Sequence, residues 1–168
     1  MSAFAKGPST LGIADMGVGR LGFGAMQLPG PMVWGEPKNP AEARAVLKLV
    51  VELGITLIDT ADVYAPTWDA MGHNETLVGK AVRAYSGDTS QLVIATKGGI
   101  VRTEGEQRHR DASYDYLRGA VEKSLQRLGV DKIDLYQWHR PDRSITYAAG
   151  MQNFARLRDD GLVTAIGI

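Results

Sequence analysis

An α/β fold of repeated strand–helix units around a parallel sheet is predicted by three observations. Short apolar runs such as "ITLID", "QLVIATK" and "IDLYQWH" alternate with stretches whose apolar residues recur at helical spacing. The alternation repeats about every 35 to 45 residues, as in chains built from βα units. The strands are apolar on both faces, which fits a sheet covered on both sides, either doubly wound or closed into a (β/α)₈ barrel.

The glycine-rich opening "TLGIADMGVGRLGFGAMQL" predicts a small hairpin leading into a strand near Leu21 to Met26. A loop, "PGPMVWGEPKNP", follows, in which Trp34 serves either packing or a pocket wall. Asn39 then caps a helix with Pro40 at its first position; Ala43, Val46, Leu47, Val50 and Val51 form its apolar stripe, and Gly54 ends it. After the strand "ITLID", the segment "NETLVGKAVRAY" puts Leu77, Val78, Ala81, Val82 and Tyr85 on one helical face, with Asn74 as the expected cap. "QLVIATK" is the next strand, and the polar run "RTEGEQRHRD" reads as a solvated loop. In "DASYDYLRGAVEKSLQRLG", Tyr114, Leu117, Val121, Leu125 and Leu128 recur at helical spacing until Gly129. The strand "IDLYQWH", a helix over about 147–160 and a last strand, "VTAIGI", complete the order. That last strand is apolar and calls for a neighbour beyond it.

Composition bounds the function. The chain has 168 residues, 44% of them hydrophobic, enough for one packed domain. Basic and acidic residues number 19 each, so no net field draws in nucleic acid or an anionic membrane surface. Cysteine is absent, which excludes disulfides and thiolate metal sites and suits a cytoplasmic protein. No apolar run approaches the roughly 20 residues of a membrane span, and the N-terminus lacks the pattern of a secretion signal.

In parallel βα architectures the carboxyl ends of strands open onto the ligand site. Three strands end in ionisable residues there: "LIDTADVY" in Asp59 and Tyr64, "LVIATK" in Lys97, and "LYQWH" in His139. Each alone has an ordinary explanation, as a turn aspartate, a half-buried tyrosine, a solvated lysine or a hydrogen-bonded histidine. Together they make a proton-transfer set. The Lys97 ammonium is expected to lower the Tyr64 pKa from its usual value near 10, with Asp59 keeping Lys97 charged. A neutral His139 would orient a carbonyl oxygen. The missing ingredient is hydride, which implies a nicotinamide cofactor. Asp62 reads as a turn residue in the same loop. "GFGAMQ" lacks the third glycine of a dinucleotide fingerprint, so a Rossmann site is disfavoured, and His73, His109 and His139 have no metal-site spacing.

The stretches "GFGAMQL", "GITLIDTADVY", "LVIATKGG", "EKSLQRLGVDKIDLYQWHRPD" and "AIGI" resemble, in order, signatures of the aldo-keto reductase superfamily. The opening "GAMQLPGPMVWGEP" is most similar to the bacterial branch that includes pyridoxal reductases (pyridoxine 4-dehydrogenases). The resemblance implies a (β/α)₈ barrel that reduces aldehydes and ketones with NADPH. It places the catalytic tetrad on Asp59, Tyr64, Lys97 and His139, and cofactor contacts on Gly24, Ala25 and Met26 beside Asp59. It implies small-molecule carbonyl substrates; no metal is expected, on the histidine spacing above. A non-catalytic alternative exists in the family, the potassium-channel β subunits. A full barrel takes about 250 residues, so the chain is expected to be a C-terminally truncated single domain, an incomplete barrel of about five βα units with an N-terminal hairpin. Positions that hold the carboxamide and the adenosine phosphate in the family have no counterpart here, so weak cofactor binding is expected, and open strand edges allow a homodimer.

Overall fold

The computed structural model describes residues 10–28 and 39–168, so Trp34 and the rest of "MVWGEP" lie outside the described residues. β1 (Thr10–Ile13) and β2 (Met16–Gly19) form the expected antiparallel hairpin. β3 (Gly22–Gly24) follows and opens the main sheet.

Three helices begin and end where capping chemistry directs. In α1 (Pro40–Glu52) the Asn39 side chain accepts a hydrogen bond from the Ala41 N–H. Ala43, Leu47 and Val50 are buried, whereas Val46 is 40% exposed and belongs to the outer face of the helix, not to its stripe. α3 (Tyr114–Leu128) is capped by the Ser113 side chain and stopped by Gly129 at φ 71°, a left-handed conformation that favours glycine. α4 (Tyr147–Asp159) is capped by Thr146. α2 (His73–Ala84) departs from this pattern, because its N-cap is Gly72 and the expected cap, Asn74, sits inside the first turn, fully buried.

The strands β4 (Leu57–Asp59), β5 (Val93–Gly98), β8 (Ile133–Trp138) and β9 (Val163–Gly167) join β3 in one five-stranded parallel sheet. Its order, β3-β4-β5-β8-β9, follows the chain, and the helices pack on it as in part of a (β/α)₈ barrel. Beneath α3 and α4 the Tyr136 ring stacks on Phe154 at 5.5 Å between centroids, and Trp138 lies 5.7 Å from the same ring. Gly98 leaves room for Tyr136: any Cβ there would collide with its hydroxyl.

The segment read as a solvated loop is an antiparallel hairpin, β6 (Ile100–Thr103) and β7 (Gln107–Arg110), turning through Gly105. β7 is exposed throughout, so it has no apolar alternation to betray it. Arg102 on β6 is buried instead.

Candidate active site

Parallel pairing brings the selected residues to one edge. Gly24 is in register with Asp59, Asp59 with Ala95, and Lys97 with Gln137, two residues before His139. Strands β3, β4, β5 and β8 therefore deliver Gly24, Asp59, Lys97 and His139 side by side at their carboxyl ends.

Lys97 Nζ donates to Asp59 Oδ2 at 2.6 Å and to the Thr60 carbonyl at 2.8 Å. The same ammonium lies 5.2 Å from the centroid of the Tyr64 ring. Tyr64 is largely buried, and its ring meets His139 edge-on, with centroids 5.5 Å apart and an interplanar angle of 86°. The His139 N–H donates to the Gly98 carbonyl at 3.1 Å, which ties the end of β8 to the end of β5.

The electrostatics correct one expectation. The Tyr64 pKa is raised, first by burial and then by the Asp59 carboxylate; Arg140 pulls it down and Asp62 pushes it up. The expected lowering is not seen: burial of the phenol dominates, and the Asp59 carboxylate that pairs with Lys97 pushes the same way. His139 is lowered to about 4 by burial, with Lys97 and Arg140 adding repulsion, so its imidazole is neutral at pH 7 as expected. Its Nδ1 is buried with no hydrogen-bond partner.

Beside Asp59 the backbone of β3 leaves open space. Asp59 remains partly exposed next to Gly24, and a Cβ placed on Gly24 would meet nothing within 4 Å, so a flat ligand has room over that backbone. Ala25 is buried in the turn that follows, while Met26 is 39% exposed.

Several supporting residues escaped the sequence. Asn74 does not cap α2: its Oδ1 accepts from Thr60 Oγ1 at 2.5 Å and its Nδ2 donates to the Ala25 carbonyl at 2.9 Å. It thereby joins the ends of β3 and β4, and its backbone N–H donates to the Tyr64 carbonyl at 3.1 Å. Arg102 donates to the carbonyls of Val63 and Ala65 at 3.3 Å and 2.8 Å, on either side of Tyr64, and is paired with Glu106. Asp62 lies in a turn, as read, but a buried one: it is 2% exposed, its pKa is pushed well up by burial and by Glu75, and its Oδ1 has no hydrogen-bond partner. Glu75 is fully buried and takes hydrogen bonds from Thr96 Oγ1 at 2.6 Å and Arg127 at 3.0 Å. The adjacent polar pair Asn74-Glu75 on an otherwise apolar helix face was the one signal of this network available beforehand.

Comparison with known proteins locates this arrangement. The model of the aldo/keto reductase family matches residues 20–168. An oxidoreductase of Schizosaccharomyces pombe, described as uncharacterized, is 40% identical over 95% of this chain and 49% of its own length. The 6-dehydroglucose reductase of Novosphingobium aromaticivorans is 37% identical over 82% of this chain and 46% of its own. Among solved structures, the holo form of an aldo-keto reductase from Bacillus halodurans superimposes with a TM-score of 0.77 at 36% identity, covering 94% of this chain and 48% of that one. The glycerol dehydrogenase of Gluconobacter oxydans gives a TM-score of 0.80 at 31% identity, covering 95% and 47%. The chain spans about half the length of the curated relatives it matches.

Proposed function

The chain belongs to the aldo/keto reductase family, and on that premise we propose that its strand-end residues serve the NADPH-dependent reduction of aldehyde or ketone carbonyls to alcohols. The observation that carries this reading is a protonated Tyr64 lying against a neutral His139 and within 5.2 Å of the Lys97 ammonium.

In this reading Tyr64 is the general acid: its phenol is protonated at neutral pH, and because its raised pKa makes it a weaker acid, transfer to the carbonyl oxygen relies on the neighbouring groups stabilising the charges that develop. The neutral imidazole of His139 holds that oxygen and stabilises negative charge as it develops. Lys97, fixed by Asp59, faces the phenolate left behind and offsets its charge. NADPH, when bound, supplies the hydride that no side chain can. Gly24, Ala25 and Met26, with Asp59, would hold its nicotinamide ribose. The substrate is a small carbonyl compound, the chain acts as a single reductase domain in the cytoplasm, and a homodimer through open sheet edges is open to test by sedimentation.

The reading is tested by following the fluorescence of NADPH, and separately of NADH, on titration with the chain, then by adding pyridoxal and recording loss of reduced nicotinamide absorbance. Binding with turnover supports it. A folded chain that binds neither nucleotide sinks it for this polypeptide.

A further inference from the structure

We propose that the substrate reduced at this site carries an anionic oxyacid group, a carboxylate or a phosphate, received by the arginine-lined cleft beside His139. This rests on the carbonyl-reductase reading above. The cleft has a volume of about 550 Å³, within the range of small-ligand sites, and is lined by Arg108, Arg110, Arg140 and Arg143 with a single carboxylate, Asp142.

The cleft is built between two elements, not scattered over a surface. β7 supplies Arg108 and Arg110, the loop after His139 supplies Arg140 and Arg143, and Arg110 donates to the Pro141 carbonyl at 3.1 Å, pinning one to the other. Asp142 offsets only part of this charge: it stays ionised and acts on Arg110, but its Oδ1 is taken up by the N–H and hydroxyl of Ser144 and its Oδ2 by the N–H of Ala112. Among the described residues, no carboxylate lies in ion-pair contact with Arg140 or Arg143.

The cleft and the reacting residues share one wall. Ile100 lines it and also packs on the cluster that contains Tyr64. Arg140 directly follows His139, and its charge is felt at both Tyr64 and His139. A carbonyl oxygen at Tyr64 and His139 would leave the rest of a small substrate pointing toward guanidinium groups, whose planar donors match carboxylate and phosphate oxygens two at a time. Cations of one sign around a cleft also concentrate anions there.

The test uses the 168-residue chain with isotope-labelled arginine. It is titrated with para-formylbenzoate, para-formylphenyl phosphate and the neutral methyl para-formylbenzoate, each with and without NADPH. Arginine side-chain resonances report occupancy of the cleft. The expected result is that at least one anion shifts Arg140 and Arg143 and binds about tenfold or more tightly than the ester; the tighter of the two anions identifies the oxyacid. In the double variant Arg140→Gln, Arg143→Gln, which changes only exposed side chains and whose folding is checked by circular dichroism, that preference disappears. Equal binding of ester and anions, no binding of any, an undiminished preference in the variant, or NADPH alone shifting the same arginines would each overturn the proposal. Anion binding without consumption of NADPH would sink the reductase reading alone, and turnover with equal preference for the ester would sink this one alone.

Discussion

The ring of Tyr64 meets that of His139 edge-on at 5.5 Å, which sets a group that keeps its proton at neutral pH against one that has shed it. Burial drives both effects, because it disfavours the charged form of each group. The phenol holds its proton more tightly, which makes it a weaker acid, and the imidazole is a neutral donor.

Tyr64→Phe removes the proposed acid and little else. In a form of the protein that turns over, carbonyl reduction should fall by about a hundredfold or more, while NADPH affinity changes little. Steady-state rates and fluorescence titration separate the two, and unchanged turnover would refute the acid role.

Asp59→Asn takes away a carboxylate that raises the Tyr64 pKa and releases the Lys97 ammonium that it holds. Both changes favour phenolate. The Tyr64 pKa should therefore drop below its value in the unmodified chain, read by ultraviolet titration against a Tyr64→Phe control. A rise would show that the pair does not act on the phenol in this way.

His139 binds its proton at about 4 in the folded chain against an ordinary value of 6.5. Between these values the unfolded chain holds more protons than the folded one, so this residue makes stability fall as pH falls from 6.5 toward 4. Its contribution is at most about 3 kcal/mol, reduced by solvent screening. The urea midpoint of the parent should fall relative to that of His139→Gln as pH drops from 7 to 4, and parallel pH profiles would contradict the burial argument.

Asp62 works in the opposite direction. Its folded pKa is raised, so the folded chain keeps a proton that the unfolded chain releases, and stability is lost as pH climbs above the usual carboxylate range. Asp62→Asn keeps the shape of the neutral acid and should stabilise the chain at pH 8 by on the order of 1 kcal/mol or more, with little effect near pH 4. Denaturant titrations at the two pH values decide this.

Arg102→Met should loosen the loop that carries Tyr64, since the carbonyls of Val63 and Ala65 lose their donor. We expect a stability loss of about 2 kcal/mol and faster amide exchange over residues 61–66 than in Arg102→Lys, which keeps the charge but not the planar fork. Equal exchange in parent and both variants would mean that Arg102 does not hold the loop.

The parts of the fold legible in sequence are those where packing and local chemistry agree. α3 shows its apolar spacing, its Ser113 cap and its Gly129 stop together, and the structure keeps all three. That Asp59, Lys97 and His139 come to one edge was legible because each sits at the carboxyl end of a strand in one parallel sheet. The β6–β7 hairpin was not, since "QRHR" buries nothing and its pairing is set by a partner strand rather than by periodicity. Asn74 looked like a cap because asparagine before an apolar helix face usually is one; its true partners, Thr60 and Ala25, are distant in the chain and invisible to local reasoning. The direction of the Tyr64 shift is likewise invisible to local reasoning, because it is set first by how deeply the fold buries the phenol.

The order of the main sheet has a consequence for synthesis. Each of its strands lies beside the one made before it, from β3 through β4, β5 and β8 to β9. A chain leaving the ribosome can therefore extend the sheet at one growing edge, without inserting a late strand between two early ones. Asp59 and Lys97 lie on the second and third strands of that sequence, so their ion pair can close while α3, β8, α4 and β9 have yet to be translated.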